Sequence, residues 1–142
     1  INMLFQINTE DIELKKIIKE KCGKSFSIFQ RIRDNNFGSQ RYKLLKISPD
    51  HEKIDLDNFN DNVFLNFDLR LKGIVYYFRF KNSEYVEFCP YYKLTFQSSD
   101  NQFIIQTDYY TYTFKIYNKK KHKKFLTQLY NFKVKSHEKT LE

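Results

Sequence analysis

The 142-residue chain contains no alanine and no tryptophan, and only three glycines, two prolines, two cysteines and one methionine. So few glycines leave no phosphate-cradling loop of the glycine-rich kind. Cys22 and Cys89 lie far apart and in no CxxC or Cys/His spacing, which argues against a disulfide framework or a zinc site. The expectation is two free thiols, buried or half-buried, in a reducing compartment. No apolar run approaches the length of a membrane span, and the first residues lack the shape of a signal peptide. The expected location is cytoplasmic, with peripheral attachment at the inner face of a membrane as a variant.

What the chain has instead is rings and lysine. Aromatic residues make up 18%, with 15 Phe and 11 Tyr, inside a hydrophobic fraction of 41%. A chain of this length forms one domain and buries a real core, and ring-rich composition favours strands over helices. Lysines outnumber arginines 20 to 5, the net charge is +8 and the pI is about 9.3. Such a balance steers a protein towards anionic partners, nucleic acid or membrane. The bias towards Lys, Asn, Ile, Phe and Tyr also fits an AT-rich genome, which yields excess lysine without any partner.

Residues 1–8 alternate weakly, as a short strand or an ordered tail. Asn8 or Thr9 can cap a helix whose first turn carries Glu10, Asp11 and Glu13, and Gly23 sits where that helix stops. After Gly23 the apolar period changes to two. Strands are expected at Phe26–Arg33, Tyr42–Ile47, Val63–Leu71, Ile74–Phe80, Tyr91–Gln97, Phe103–Thr107 and Tyr110–Tyr117. Glu84–Phe88 also alternates, and Pro90 separates it from Tyr91. Lys72-Gly73 and Ser98–Asn101 are turns, and residues 48–62 form a polar gap. The last element is a helix from about Lys119 to Phe132 with Asn118 as its cap and a stripe of Phe125, Leu126, Leu129 and Tyr130. Residues 134–142 read as a frayed polar tail.

Strands followed by one amphipathic helix resemble the order of a pleckstrin-homology-like (PH-like) domain. The stretch EYVEFCPYYKLTFQ, SSDN, QFIIQT, YTYTFKIYNKKKHKKFLTQLY is similar to the second half of the bacterial PH-like and GRAM-like group. The implied fold is mainly β (α+β): a seven-stranded antiparallel barrel or sandwich capped by a C-terminal helix. The implied domain covers 24–133, after a helical extension over 1–23. Members of that group bind lipids or peptides, or act as scaffolds, so function has to come from the site. Lipid-binding members use basic side chains around the loop between the first two strands. Here that loop is 34–40, flanked by Arg31, Arg33, Arg41 and Lys43. The loop itself carries Asp34 and no basic residue, a departure from that pattern.

A second basic feature is the run Lys119, Lys120, Lys121, Lys123 and Lys124, interrupted by His122. Residues 119–142 hold eight Lys and two Glu. Lysines at a helix N-terminus oppose the helix dipole, so the run suits an anion or is a solvated corner. In a PH-like fold the two basic features lie at opposite ends. The strand tyrosines Tyr76, Tyr77, Tyr85, Tyr91, Tyr92, Tyr109, Tyr110 and Tyr112 suit protein contact or base stacking where they are exposed, or else fill the core margin. His51, His122 and His137 show no catalytic spacing, and Asp55 and Asp57 lack the glycine and terminal glutamate of a calcium loop. The expectation is a non-enzymatic interaction module without a cofactor. Its partner would be a protein or an anionic membrane surface, or alternatively nucleic acid bound through the Lys119–Lys124 run and exposed tyrosines.

Overall fold

The computed structural model describes residues 4–7, 12–27, 40–59 and 61–141, with side chains to residue 137. Arg31, Arg33, the 34–39 part of the basic-flanked loop and the helix-capping Asn8 and Thr9 lie outside the described residues. Among those described, nine strands form two antiparallel sheets. The strands are β1 (Leu4–Ile7), β2 (Tyr42–Ser48), β3 (Phe64–Leu65), β4 (Phe67–Leu69), β5 (Gly73–Phe80), β6 (Ser83–Pro90), β7 (Thr95–Ser98), β8 (Gln102–Gln106) and β9 (Thr111–Lys115). One sheet has the order β1-β6-β5-β4, and the other β3-β2-β9-β8-β7. Two helices, α1 (Ile12–Cys22) and α2 (Lys119–Leu141), complete the fold.

The mainly β architecture with a helix at each end of the chain agrees with expectation. The strand count differs, nine among the described residues where seven were expected. These form two sheets, the sandwich form of that expectation, with no closed barrel among them. The alternating run 63–71 is not one strand. It breaks at the exposed Asn66, and β3 pairs with β2 while β4 pairs with β5. Alternation survives the break because Leu65, Phe67 and Leu69 all enter the core between the sheets. Tyr91–Gln97 also splits, into a 3-10 turn at Tyr91–Lys93 and then β7. Phe26 lies outside any strand and stacks on Phe132, with ring centres 5.8 Å apart.

The main core lies between the sheets. Ile74, Tyr76, Phe78 and Phe80 of β5 meet Tyr42, Leu44, Phe103, Ile105, Tyr112 and Phe114 of the opposing sheet, and Phe125 and Leu129 of α2 enter from one side. A second cluster forms on the other face of the four-stranded sheet, where Leu14, Ile18 and Cys22 of α1 cover Val75, Val86 and Phe88. The alternation of β5 and β6 thus serves two apolar layers, as expected of strands covered on both faces.

Local chemistry explains the ends. Gly23 has φ +92° and its N–H bonds to Lys19 O at 2.9 Å, stopping α1 as a left-handed C-terminal residue. Asn118 Oδ1 accepts the Lys121 N–H at 3.0 Å and caps α2. That helix does not fray after Phe132. The Lys133 ammonium bonds to Tyr91 O at 2.8 Å and to Leu94 O, tying the helix to the 3-10 turn, and the helix continues to Leu141.

Gly73 opens β5 because nothing larger fits. A Cβ there would stand 2.6 Å from Cys22 Sγ and 2.6 Å from Cys89 O. Gly73→Ala is expected to cost about 1–3 kcal/mol by overpacking. The measurement is the urea midpoint, and a midpoint equal to wild type would show that α1 shifts freely on the sheet.

Candidate functional site

The two sheets differ in what covers them and in charge. The outer face of the four-stranded sheet lies under α1, whereas no helix packs on the outer face of the five-stranded sheet among the described residues. Strands β2, β3, β7, β8 and β9 contain Lys43, Lys46 and Lys115 and not one Asp or Glu. The strands of the other sheet contain Asp68, Glu84 and Glu87.

Register builds the open face in rows. Phe64, Lys43, Lys115 and Gln102 lie side by side across β3, β2, β9 and β8. The next row runs Lys46, Thr113, Ile104 and Gln97. A β-bulge between Leu44 and Lys46 produces that second row. Without it, period two would turn Lys46 inward with Leu44. The extra residue restores Ile47 to the core and leaves Lys46 exposed.

At one corner cations and rings interleave. The Arg41 guanidinium carbon lies 3.8 Å over the Phe64 ring, Phe64 is 6.1 Å from Tyr117, and Lys115 Nζ is 5.2 Å from the Tyr117 ring centre. Tyr117 remains 54% exposed. Gln40 Nε2 donates to Asn118 O at 2.9 Å, which brings the residue before Arg41 to the start of α2. The two basic features are therefore neighbours in their described parts, contrary to the expectation that they lie at opposite ends. Of the expected anion-binding residues, Arg41 and Lys43 fall on this face. Lys119, Lys120, Lys121, Lys123 and Lys124 are all exposed on the adjoining helix start. Lys115, Lys46, Phe64 and Tyr117 belong to the site as well. Alternation with buried neighbours turns Lys115, Phe64 and Tyr117 outward but does not say that they face outward together, and Lys46 faces outward only because of the bulge.

His122, read as part of the charged run, is buried beneath it. It stands at i−3 from Phe125 and i−7 from Leu129, so it joins the apolar stripe, while Tyr130 is 61% exposed. Its Nδ1 lies 2.5 Å from Tyr42 Oη, and its Nε2 lies 2.8 Å from Ser98 Oγ. Burial lowers the His122 pKa and raises that of Tyr42 well above the usual tyrosine value. The imidazole is then neutral and the phenol protonated at pH 7. Ser98 Oγ donates to Ser99 O at 3.2 Å, so Tyr42 donates to Nδ1 and the Nε2–H donates to Ser98. With that polarity the imidazole cannot take the serine proton, and the chain of three ties β2, α2 and β7 together.

Other polar groups are structural or shallow. Glu87 is fully buried on the core side of β6, accepting from Tyr112 Oη at 2.5 Å and from its neighbour Phe88 N–H at 3.1 Å. Burial pushes its pKa up to about 8 despite those bonds. Both cysteines are buried and unpaired, and burial pushes the Cys22 thiol up to about 12. His51 packs between Tyr85 and Tyr110 and accepts the Lys53 N–H at 3.1 Å. Beside it, a groove of about 450 Å³ runs between Lys46 and Asp50, Glu52, Asp55 and Asp57. The open face is thus basic at the Arg41 end and acidic at the far end of β2. No cluster of three or more metal-ligating side chains occurs among the described residues, and no helix there is long and apolar enough to cross a membrane.

Fold and face together define an antiparallel two-sheet α+β domain with one sheet covered by a helix and one basic sheet that no helix covers among the described residues. Neither a protein-family model, nor a curated protein, nor a solved structure matches this chain.

Proposed function

We propose that the protein is a non-catalytic interaction module of the PH-like kind, docking on an anionic partner through the outer face of the five-stranded sheet. Two antiparallel sheets with a C-terminal helix are compatible with that kind and with other two-sheet modules. The polarity of the Tyr42–His122–Ser98 chain supports binding over catalysis. One observation carries the docking reading: Lys43 stands directly opposite Lys115 in the β2–β9 ladder, and neither has an ion-pair partner among the described residues. Like charges directly across a ladder destabilise a sheet. Local stability therefore does not account for the pair, whereas an anion held between the two ammonium groups does.

The test is retention of the purified protein on an immobilised polyanion across a salt series. Retention at low salt and release on raising it is the expected result. The double variant Lys43→Gln, Lys115→Gln is expected to bind about tenfold more weakly, while its thermal midpoint stays level or rises as the repulsion is removed. Unchanged retention in that variant would move the docking face elsewhere.

A further inference from the structure

We infer that the anionic partner is a single-stranded nucleic acid, whose phosphates lie along Lys43 and Lys115 while a base stacks at the Arg41–Phe64–Tyr117 corner. This rests on the docking face proposed above and names what occupies it. A nucleotide chain alternates negative charge with flat rings, and the corner offers the matching alternation. Tyr117 presents a 54% exposed ring, and the Arg41 guanidinium carbon, 3.8 Å over the Phe64 ring, offers a second platform. Aromatic rings and arginine planes are the surfaces on which unpaired bases stack.

The rest of the face fits the same partner. Its outward groups beyond the lysines are mainly amides and hydroxyls, Gln97, Gln102 and Thr113 among them, which can donate to and accept from base edges. Insertion at a membrane surface uses apolar side chains that protrude into the acyl region. Here the outward aliphatic residues, Leu45 and Ile104, are half-buried between their neighbours. A duplex is disfavoured for a geometric reason. Its bases are stacked inside, and its grooves are read by a protruding helix or ribbon, not by a flat sheet. Five strands span about 19 Å at the usual strand spacing, room for only a few nucleotides. The exposed lysines at the start of α2, beside Arg41, would extend the phosphate track.

The experiment is fluorescence anisotropy with a labelled oligothymidylate of about ten nucleotides, alongside inorganic polyphosphate and anionic phosphatidylserine vesicles. Two neutralised phosphates, one at each of Lys43 and Lys115, give an expected slope of about −1.4 for log affinity against log salt, steeper if the α2 lysines join. Tyr117→Ala is expected to weaken oligonucleotide binding about tenfold and polyphosphate binding far less, since the Lys115 ammonium beside the ring is retained. Lys43→Gln weakens both. The Tyr117 ring is half exposed, so its removal leaves the core intact, which the circular dichroism spectrum checks. Equal loss or no loss on both ligands in Tyr117→Ala overturns the base-stacking inference and leaves the anionic docking face standing. Binding to vesicles alone makes the partner a membrane. Binding to none of the three ends both readings.

Discussion

Glu87→Gln is expected to raise the stability of the protein at pH 8 by roughly 3–5 kcal/mol and to leave it unchanged near pH 4. Glu87 is fully buried in an aromatic core, and desolvation of the carboxylate outweighs the bonds from Tyr112 and Phe88, raising its pKa from 4.5 to about 8. Below about pH 4.5 both the folded and the unfolded chain carry the proton, and the group is neutral for stability. Between 4.5 and about 8 the unfolded chain releases its proton while the folded chain keeps it, so wild-type stability falls as pH rises. Above that window both states are ionised and the loss is complete. Glutamine mimics the protonated acid: its carbonyl can accept the Phe88 N–H and its amide can donate to Tyr112 Oη. The measurement is the urea midpoint of both proteins from pH 4 to pH 9. His51 and His122, whose pKa values burial lowers, act on both proteins alike and cancel in the difference. Parallel profiles would show that the carboxylate is solvated or paired in solution.

Phe67→Ala is expected to cost about 3–5 kcal/mol, lowering the thermal midpoint by on the order of 10–15 °C. Phe67 is the first residue of β4, directly after the chain leaves the five-stranded sheet at Asn66. Its ring centre lies 5.1 Å from Tyr42, 5.1 Å from Tyr76, 5.0 Å from Phe114, 5.5 Å from Phe125 and 5.8 Å from Phe103. It therefore touches both sheets and α2 at once. Truncation opens a cavity walled by rings, which are stiff and collapse poorly. Phe67→Leu, which keeps most of the volume, is expected to cost about 1–2 kcal/mol. Differential scanning calorimetry separates the two. Equal midpoints for alanine and wild type would show that the core closes around the missing ring.

Some of this was legible in the chain. Asn118 as a cap, Gly23 as a helix stop and the alternation of 63–69, 74–80 and 110–117 follow from contacts within a few residues. By contrast Leu71, expected on the core face, is 47% exposed, and the turn expected at Lys72-Gly73 falls at Leu71-Lys72, with Gly73 already in β5. Capping and side-chain period depend only on local backbone geometry. Buried Phe and Tyr could be assigned to a core face by the same rule. Arg41 and Lys43 were picked out because they sit near one expected turn, and they do lie on the open basic face.

The remainder required the tertiary structure, because period two says which side of a strand a residue takes and not which strand lies beside it. Lys43 meets Lys115 across 72 positions, and the two are adjacent through the β2–β9 register alone. Gln40 reaches Asn118 for the same reason, which placed the two basic features together. Asn66 could divide one alternating run between two sheets because its neighbours Leu65 and Phe67 enter a core that both sheets share. Glu87 and His122 are polar residues inside that core. Helical spacing to Phe125 and Leu129 places His122 on the apolar stripe, but the partners that make each tolerable there are distant in the chain, Tyr112 for Glu87 and Tyr42 and Ser98 for His122. The sequence by itself determined the elements, their faces and the excess of positive charge. Long-range register, which depends on packing free energy summed over the whole domain, decided where that charge gathers.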